Sequence, residues 1–118
     1  MNIIEEFLSI QQHIRVYHWT TSIYNQHVVS GELYEKLDSL FDKFIETFAG
    51  KYKIVFAPFT ISVSTNKNLL FSLKRFKQFL MTDLELMLHS NNKNTDLKNI
   101  RDEILGEINK FTFLLKMK

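Results

Sequence analysis

The sequence predicts an all-α protein built as a single four-helix up-down bundle. Apolar residues recur every three or four positions along four long stretches, which is the spacing of helices with one buried face. The 118 residues include only three glycines and one proline, too few for a loop-rich or all-β chain. With 45% hydrophobic residues the chain can bury a core of one-domain size, so we expect one domain over residues 1–118.

The first predicted helix covers residues 2–17. Asn2 and Glu5 have the spacing of an N-terminal capping box. The buried face of this helix is predicted to contain Ile3, Phe7, Ile10, Ile14 and Tyr17. His18 follows at the edge of that face, and His13 lies off the face and is expected in solvent.

The second predicted helix follows a short polar turn at residues 20–22, with Ser22 as its N-terminal cap. Steps of four and three predict a buried seam of Ile23, His27, Ser30, Tyr34, Leu37, Phe41, Phe44 and Phe48. The helix should end near Ala49, before Gly50. A later start at Ser30 is the alternative and would leave His27 in a loop, but the seam spacing favours the earlier start.

The remaining chain predicts a long connection and two more helices. Residues 51–65 are apolar and β-branched around Pro58, and we expect a partly packed crossover rather than a sheet. A very apolar third helix should run from residue 65 or 66 to about residue 90. After a polar turn at residues 90–95, the fourth helix should cover residues 96–116. One long connection between helices two and three is the wiring of a ferritin-like bundle.

Charge and composition exclude several classes of function. The formal net charge of +2 lacks the basic surplus of a dedicated nucleic-acid binder. The chain has no cysteine, which excludes disulfides and thiolate metal sites and is consistent with a reducing compartment. No apolar run can span a bilayer and no signal peptide is visible, so we expect a cytoplasmic protein without a membrane partner. Nothing supports hydrolysis, because nucleophile motifs and phosphate-binding glycine loops are missing.

The segment from Tyr17 to Glu46 contains the best candidates for metal ligands. They are the imidazoles of His18 and His27 and the carboxylates of Asp42 and Glu46, which lie four residues apart and face one direction. His27 and Asp42 are separated by about 22 Å along one helix, so they cannot bind one ion within a subunit. Two copies of this helix crossing antiparallel, with a two-fold axis near Tyr34 and Glu35, would bring them together. Weaker candidates are Glu35, Asp38, Glu85, His89, Glu103 and Glu107.

The segments YHWTTSIYNQH and ELYEKLDSLFDKFIE resemble the Dps-type mini-ferritins. Together with IRDEILGEI they also resemble short ferritin-like proteins of large DNA viruses and phages. This resemblance implies a homo-oligomer that binds and oxidises iron between subunits, with His18 and His27 from one subunit and Asp42 and Glu46 from its partner. It also implies that Trp19 lies beside the iron. Dps-type proteins often bind DNA, which Lys74, Arg75 and Lys77 could support only weakly here.

The alternative is a non-enzymatic structural or interaction protein, virion-associated if the source is viral, on a ferritin-like scaffold that has lost its metal site. Gly31 occupies the position where the mini-ferritins carry an aspartate ligand, and this favours the alternative. In that case His18 and Trp19 form a packing pair, and His27 is a core histidine. Asp42 and Glu46 then belong to a solvated face beside Lys36 and Lys43.

Overall fold

The computed structural model describes residues 2–117 and contains only helices as regular secondary structure within them. The elements are α1 (Ile3–Thr20), α2 (Tyr24–Lys51), α3 (Leu69–Met81), α4 (Asp83–His89) and α5 (Thr95–Leu114). The all-α prediction is confirmed. None of these helices is both long enough and apolar enough to cross a bilayer.

Side-chain contacts between α1, α2 and α5 define the directions of these helices. Phe7, near the start of α1, stacks on Phe41, late in α2, so α1 and α2 are antiparallel. Asn25, at the start of α2, donates to the carbonyl oxygens of Leu114 and Met117 at 3.1 and 2.6 Å. The other end of α2 pairs Lys51 with Asp96 at 2.6 Å. Helices α2 and α5 are therefore antiparallel as well.

Helix α3 lies across the bundle from α2, since both pack against α1 and α5, and the two helices run parallel. His13 in α1 bonds the carbonyl of Asn66, just before α3, and Phe7 contacts Phe76, so α1 and α3 are antiparallel. Lys77 bonds Asn109 late in α5, and Leu80, further along α3, accepts from Arg101 early in α5, so α3 is antiparallel to α5. Residues 52–68 connect the parallel pair along the bundle and contain no helix or strand, as predicted for the crossover.

The core is shared by all five helices. Phenylalanine rings of α1, α2 and α3 meet at its centre, where the ring of Phe7 lies 4.3 Å from that of Phe41 and 6.0 Å from that of Phe76. Fully buried aliphatic side chains fill the remainder, and they include Ile14, Leu37, Leu69, Leu73, Leu80, Leu84, Leu88, Leu97 and Ile104. Ile14 and Leu37 lie on the predicted buried faces of the first two helices, so the periodic pattern identified these parts of the core.

The ends of α1 and α2 differ from the prediction by a few residues. The Asn2 side chain caps α1 as expected, accepting from the backbone N–H groups of Ile4 and Glu5. Helix α1 continues to Thr20. Helix α2 has the earlier of the two expected starts, but its N-cap residue is Ile23 rather than Ser22. Gly50 does not end α2, which continues to Lys51.

The expected single third helix is wrong, because the stretch breaks at Thr82 into α3 and α4 and begins only at Leu69. Thr82 has φ −115° and ψ −79°, and its hydroxyl donates to the Gln78 carbonyl at 2.6 Å. Arg101 of α5 donates to the Leu80 carbonyl at 3.1 Å and to Glu85 at 2.5 Å. A side chain from a neighbouring helix therefore satisfies a carbonyl at the break. The hydrogen bond from Arg101 also lowers the pKa of the Glu85 carboxyl.

Candidate functional site

The turn between α1 and α2 brings two predicted ligands, His18 and His27, into direct contact. Only three residues separate the two helices, so the last turn of α1 lies beside the first turn of α2. The imidazole rings stack with 3.9 Å between centroids and 13° between planes. His18 is half-buried and His27 is exposed. The prediction that His27 lies on the buried seam is therefore wrong, because α2 buries Val29, Ser30, Leu33, Leu37, Phe41 and Phe44 instead.

Reciprocal hydrogen bonds fix the tautomer that each imidazole adopts in its neutral form. Nδ1 of His18 lies 2.6 Å from the His27 carbonyl oxygen, and Nδ1 of His27 lies 2.8 Å from the His18 carbonyl oxygen. A carbonyl oxygen can only accept, so each Nδ1 carries the hydrogen and donates it. Each Nε2 is left with a free lone pair. The Ser30 hydroxyl supports the arrangement by donating to the His27 carbonyl at 3.1 Å.

The stacked geometry limits how these lone pairs can be used. The lone pair on Nε2 lies in the plane of its ring, and the two planes are nearly parallel. Two such lone pairs point along separate planes rather than towards a common point. One ring must rotate before His18 and His27 can bind the same ion.

Gly31 provides the space that the His18 ring occupies. A Cβ atom at position 31 would lie 2.8 Å from Cε1 of His18 and 3.2 Å from its Nδ1, closer than atoms normally approach. The backbone φ of Gly31 is not positive, so the requirement is for space and not for a left-handed conformation. Glycine at this position is therefore explained by the packing of His18, independently of any lost carboxylate ligand.

Replacing Gly31 by alanine is expected to expel the His18 ring from its stack. Alanine alone favours a helix interior by up to about 1 kcal/mol over glycine, but here the new methyl group overlaps the imidazole. Nuclear Overhauser contacts between the rings of His18 and His27 should disappear. The free energy of unfolding should increase less for Gly31→Ala than for the control variant. That control is Gly106→Ala in α5, where a Cβ meets no atom within 4 Å. Equal gains in the two variants with an intact ring contact would contradict this account.

The predicted carboxylates lie on the same helix but far from the imidazoles. Asp42 and Glu46 are both exposed on α2, and about 22 Å of continuous helix separates His27 from Asp42. The weaker candidates do not complete a site, since Glu85 pairs with Arg101 while Glu35, His89 and Glu103 are exposed. Within residues 2–117 no three metal-capable side chains come together. The single chain therefore has an imidazole pair at one end of α2 and separate exposed carboxylates towards the other end.

Between the imidazole pair and the carboxylates, the α1–α2 face carries the cationic side chain of Arg15 and a partly apolar cleft. The Arg15 guanidinium lies 4.0 Å from the centre of the Tyr34 ring and 5.5 Å from the exposed indole of Trp19. Towards the acidic end, the Gln11 amide donates to Asp38 at 2.7 Å. A cleft of about 210 Å³ opens there, lined by Ile4, Phe7, Leu8, Gln11, Asp38, Phe41, Asp42 and Ile45.

Four buried polar residues of the described chain were not identified from the sequence: Gln11, His13, Asn94 and Arg101. His13 was expected in solvent but is only 2% exposed, and its Nε2 lies 2.8 Å from the Asn66 carbonyl. Helix α1 packs against both α2 and α3, so its buried arc is wider than the single predicted stripe. His13 lies three residues after Ile10 and could have been placed on this wider arc. Arg101, which directly follows the buried Ile100, carried no such signal.

The fold and the histidine turn define an all-helical protein with a stacked imidazole pair at one end of an antiparallel helix pair. The model of the family of unknown function DUF5856 matches residues 18–115, and the chain belongs to this family. The matched segment includes His18, His27, Asp42 and Glu46. No curated protein and no solved structure matches the chain.

Proposed function

We propose that this chain is a ferritin-like protein that forms a homodimer or larger homo-oligomer through α1 and α2 and binds iron, or a similar divalent metal, between subunits. Ferritin-like bundles have this connectivity, in which a long crossover joins two parallel helices on opposite sides of the bundle. This supports the assignment of the fold. The four proposed ligands are His18 and His27 from one subunit and Asp42 and Glu46 from another.

The state of the two imidazoles is the observation that carries the proposal. Metal-binding histidines almost always donate one ring N–H to a carbonyl or carboxylate and bind the metal through the other nitrogen. His18 and His27 both donate from Nδ1 to a backbone carbonyl and keep the Nε2 lone pair. His27 is exposed and offers its Nε2 directly. His18 becomes a ligand after rotation of its ring out of the stack.

The distribution of charge on the α1–α2 face supports antiparallel pairing of two copies. The imidazoles and Arg15 lie towards one end, and Asp38, Asp42 and Glu46 lie towards the other. A two-fold axis near Tyr34 brings unlike ends together, and such isologous contacts are the commonest in homo-oligomers. The exposed indole of Trp19 would then approach the apolar cleft beside Asp42 of the second copy.

The resulting set of nitrogen and carboxylate ligands suits iron, manganese or zinc. Ferrous iron is the substrate in this proposal, and dioxygen or hydrogen peroxide is its oxidant. The chain's own residues bind and orient the ion. The backbone carbonyl of His18 holds His27 in the tautomer that leaves its Nε2 free.

The test compares the wild type with the double variant His27→Ala, Asp42→Ala. The wild type should retain iron after gel filtration, measured by inductively coupled plasma mass spectrometry, and should oxidise ferrous iron faster than buffer. The double variant should lose both properties, because one ligand is removed from each side of the interface. A matched control is His89→Ala with Glu103→Ala, which removes an exposed imidazole and an exposed carboxylate elsewhere.

Light scattering provides a second measurement on the same proteins. A strictly monomeric wild type, no retained metal, or an oxidation rate unchanged in the double variant would each rule the proposal out. Losses of equal size in the control variant would show that the effect is not specific to this face.

A second candidate function is a helical structural or interaction protein that assembles without metal, for example within a virion. Two observations favour it: the near-parallel ring planes of His18 and His27, and the close fit of Gly31 against His18. Both contacts can be explained by packing that stabilises the turn between α1 and α2, without a metal. This candidate predicts oligomers by light scattering with no retained iron, so the experiment above separates the two functions.

A further inference from the structure

The crossover exposes an unusual run of apolar side chains. Residues 54–59, with the sequence IVFAPF, contain no charged or polar side chain. Val55 is 77% exposed, Phe56 is 69% exposed and Phe59 is 40% exposed. Single exposed apolar residues are ordinary on protein surfaces, but a consecutive run indicates a surface that something else covers.

The charged residues nearest this run along the chain are positive, while Glu6 and Asp83 lie beside the later part of the crossover, at Ser62 and Ser64. Residues 47–82 contain six basic residues and no acidic residue. The rest of the chain has nine basic and thirteen acidic residues, a net charge of −4 that is hidden by the overall value of +2. Lys53 and Lys67 flank the crossover and are exposed, and Lys74 and Arg75 are exposed on the adjoining α3. A partner that suits this surface is anionic and accepts apolar side chains.

We propose that residues 54–59 dock the protein onto a membrane surface containing anionic lipid. Val55, Phe56 and Phe59 enter the headgroup region, while Lys53 and Lys67 contact anionic headgroups. Peripheral proteins bind in this way, by combining buried apolar area with attraction of lysine and arginine to the anionic leaflet. The expectation of no membrane partner rested on the lack of a spanning run, and surface docking needs none.

The depth of insertion is limited by the backbone. Residues 53–63 form no hydrogen bond with other backbone groups of the described chain. Unpaired backbone groups are not tolerated within the hydrocarbon, so this segment stays at the level of the headgroups, where water remains available. The strongly amphipathic α3 cannot insert instead, because Leu69, Leu73, Phe76 and Leu80 of its apolar face are buried in the core.

Charge and spacing disfavour two other occupants. A second copy paired symmetrically on this segment would bring together two apolar runs that are both flanked by positive charges, at Lys53 and Lys67. A single-stranded nucleic acid needs cations along its phosphates, and residues 54–66 contain no charged side chain. An anionic membrane requires only that the charges surround the apolar run.

The test is co-sedimentation of the metal-free protein with vesicles of phosphatidylcholine alone or with added phosphatidylserine. We expect binding that requires phosphatidylserine and weakens with added salt. The double variant Val55→Ser, Phe56→Ser should bind about tenfold more weakly or worse, from the lost burial of two apolar side chains. Lys53→Glu should weaken binding by about tenfold, because it changes the local charge by two. Phe113→Ser and Lys110→Glu on α5 are the matched controls, and circular dichroism checks that every variant is folded.

Several results would overturn the proposal. They are no binding of the wild type to either vesicle, equal losses in the α5 controls, and loop-dependent binding of single-stranded oligonucleotide without vesicle binding. A fall in oligomer mass for Val55→Ser, Phe56→Ser with unchanged vesicle binding would identify a second copy as the occupant. The experiment uses no iron, so its outcome is independent of the proposed metal site.

Discussion

Replacing Phe7 by alanine is expected to lower the free energy of unfolding by about 3–5 kcal/mol, the range for loss of a buried phenylalanine. The ring of Phe7 stacks on Phe41 at 4.3 Å and meets the edges of Phe44 and Phe76 at 5.3 and 6.0 Å. It therefore joins α1, α2 and α3 at a single point. Its removal leaves a cavity that three helices would have to close together.

Chemical denaturation followed by circular dichroism measures this loss. The matched control is Phe113→Ala, because Phe113 is a phenylalanine exposed on α5. Its replacement should change the free energy of unfolding by no more than about 0.5 kcal/mol. A Phe7→Ala protein as stable as the Phe113→Ala protein would mean that the aromatic cluster is packed differently.

Replacing Arg101 by methionine is expected to cost about 2 kcal/mol. Methionine keeps most of the apolar stem but removes the donors to the Leu80 carbonyl and the Glu85 carboxylate. A buried carbonyl left without a donor carries a desolvation penalty of about 1–3 kcal/mol. Glu85 and Asp102 keep enough contact with water to remain hydrated, so the full cost of an unpaired buried charge does not apply.

The dependence of stability on pH distinguishes this role from simple packing. The pKa of Glu85 is lowered in the folded protein, so its pairing stabilises the fold above the ordinary carboxyl pKa of 4.5 and is lost as the pH falls below it. Scanning calorimetry across this range should show a smaller acid-induced fall in melting temperature for Arg101→Met than for the wild type. Lys77→Met, which removes an α3–α5 contact near the surface, is the control. Parallel curves for wild type and Arg101→Met would contradict the proposed pairing.

The sequence was sufficient to locate the helices, because each has an apolar face with a regular period. The break at Thr82 was not predictable in the same way. At the break Arg101, nineteen positions later than Thr82, bonds the Leu80 carbonyl, and periodicity within one helix contains no information about such a contact. His13 was misplaced for a related reason, since α1 contacts two neighbours and buries more than one stripe.

The closeness of His18 and His27 was expected, but the geometry of their contact was not. The resemblance to the mini-ferritins implied that both imidazoles belong to one site, and the structure places their rings in contact. The role of His18, His27, Asp42 and Glu46 as metal ligands stays a prediction. Their stacking, their hydrogen bonds to each other's carbonyls and the exposure of His27 depend on the rotation of α2 about its axis. That rotation is set by the other side chains of the core. The fit of Gly31 against His18 follows from the same rotation.

The diagonal, parallel arrangement of α2 and α3 makes the molecule two helical hairpins joined by a tether. The entropic cost of closing a flexible tether grows only with the logarithm of its length, about 0.6 kcal/mol for each doubling. Lengthening residues 52–68, or changing their exposed side chains, should therefore alter folding little. The composition of residues 52–68 is consequently less constrained by the packing of the core than that of the helices, and it can vary with what the surface of the protein contacts.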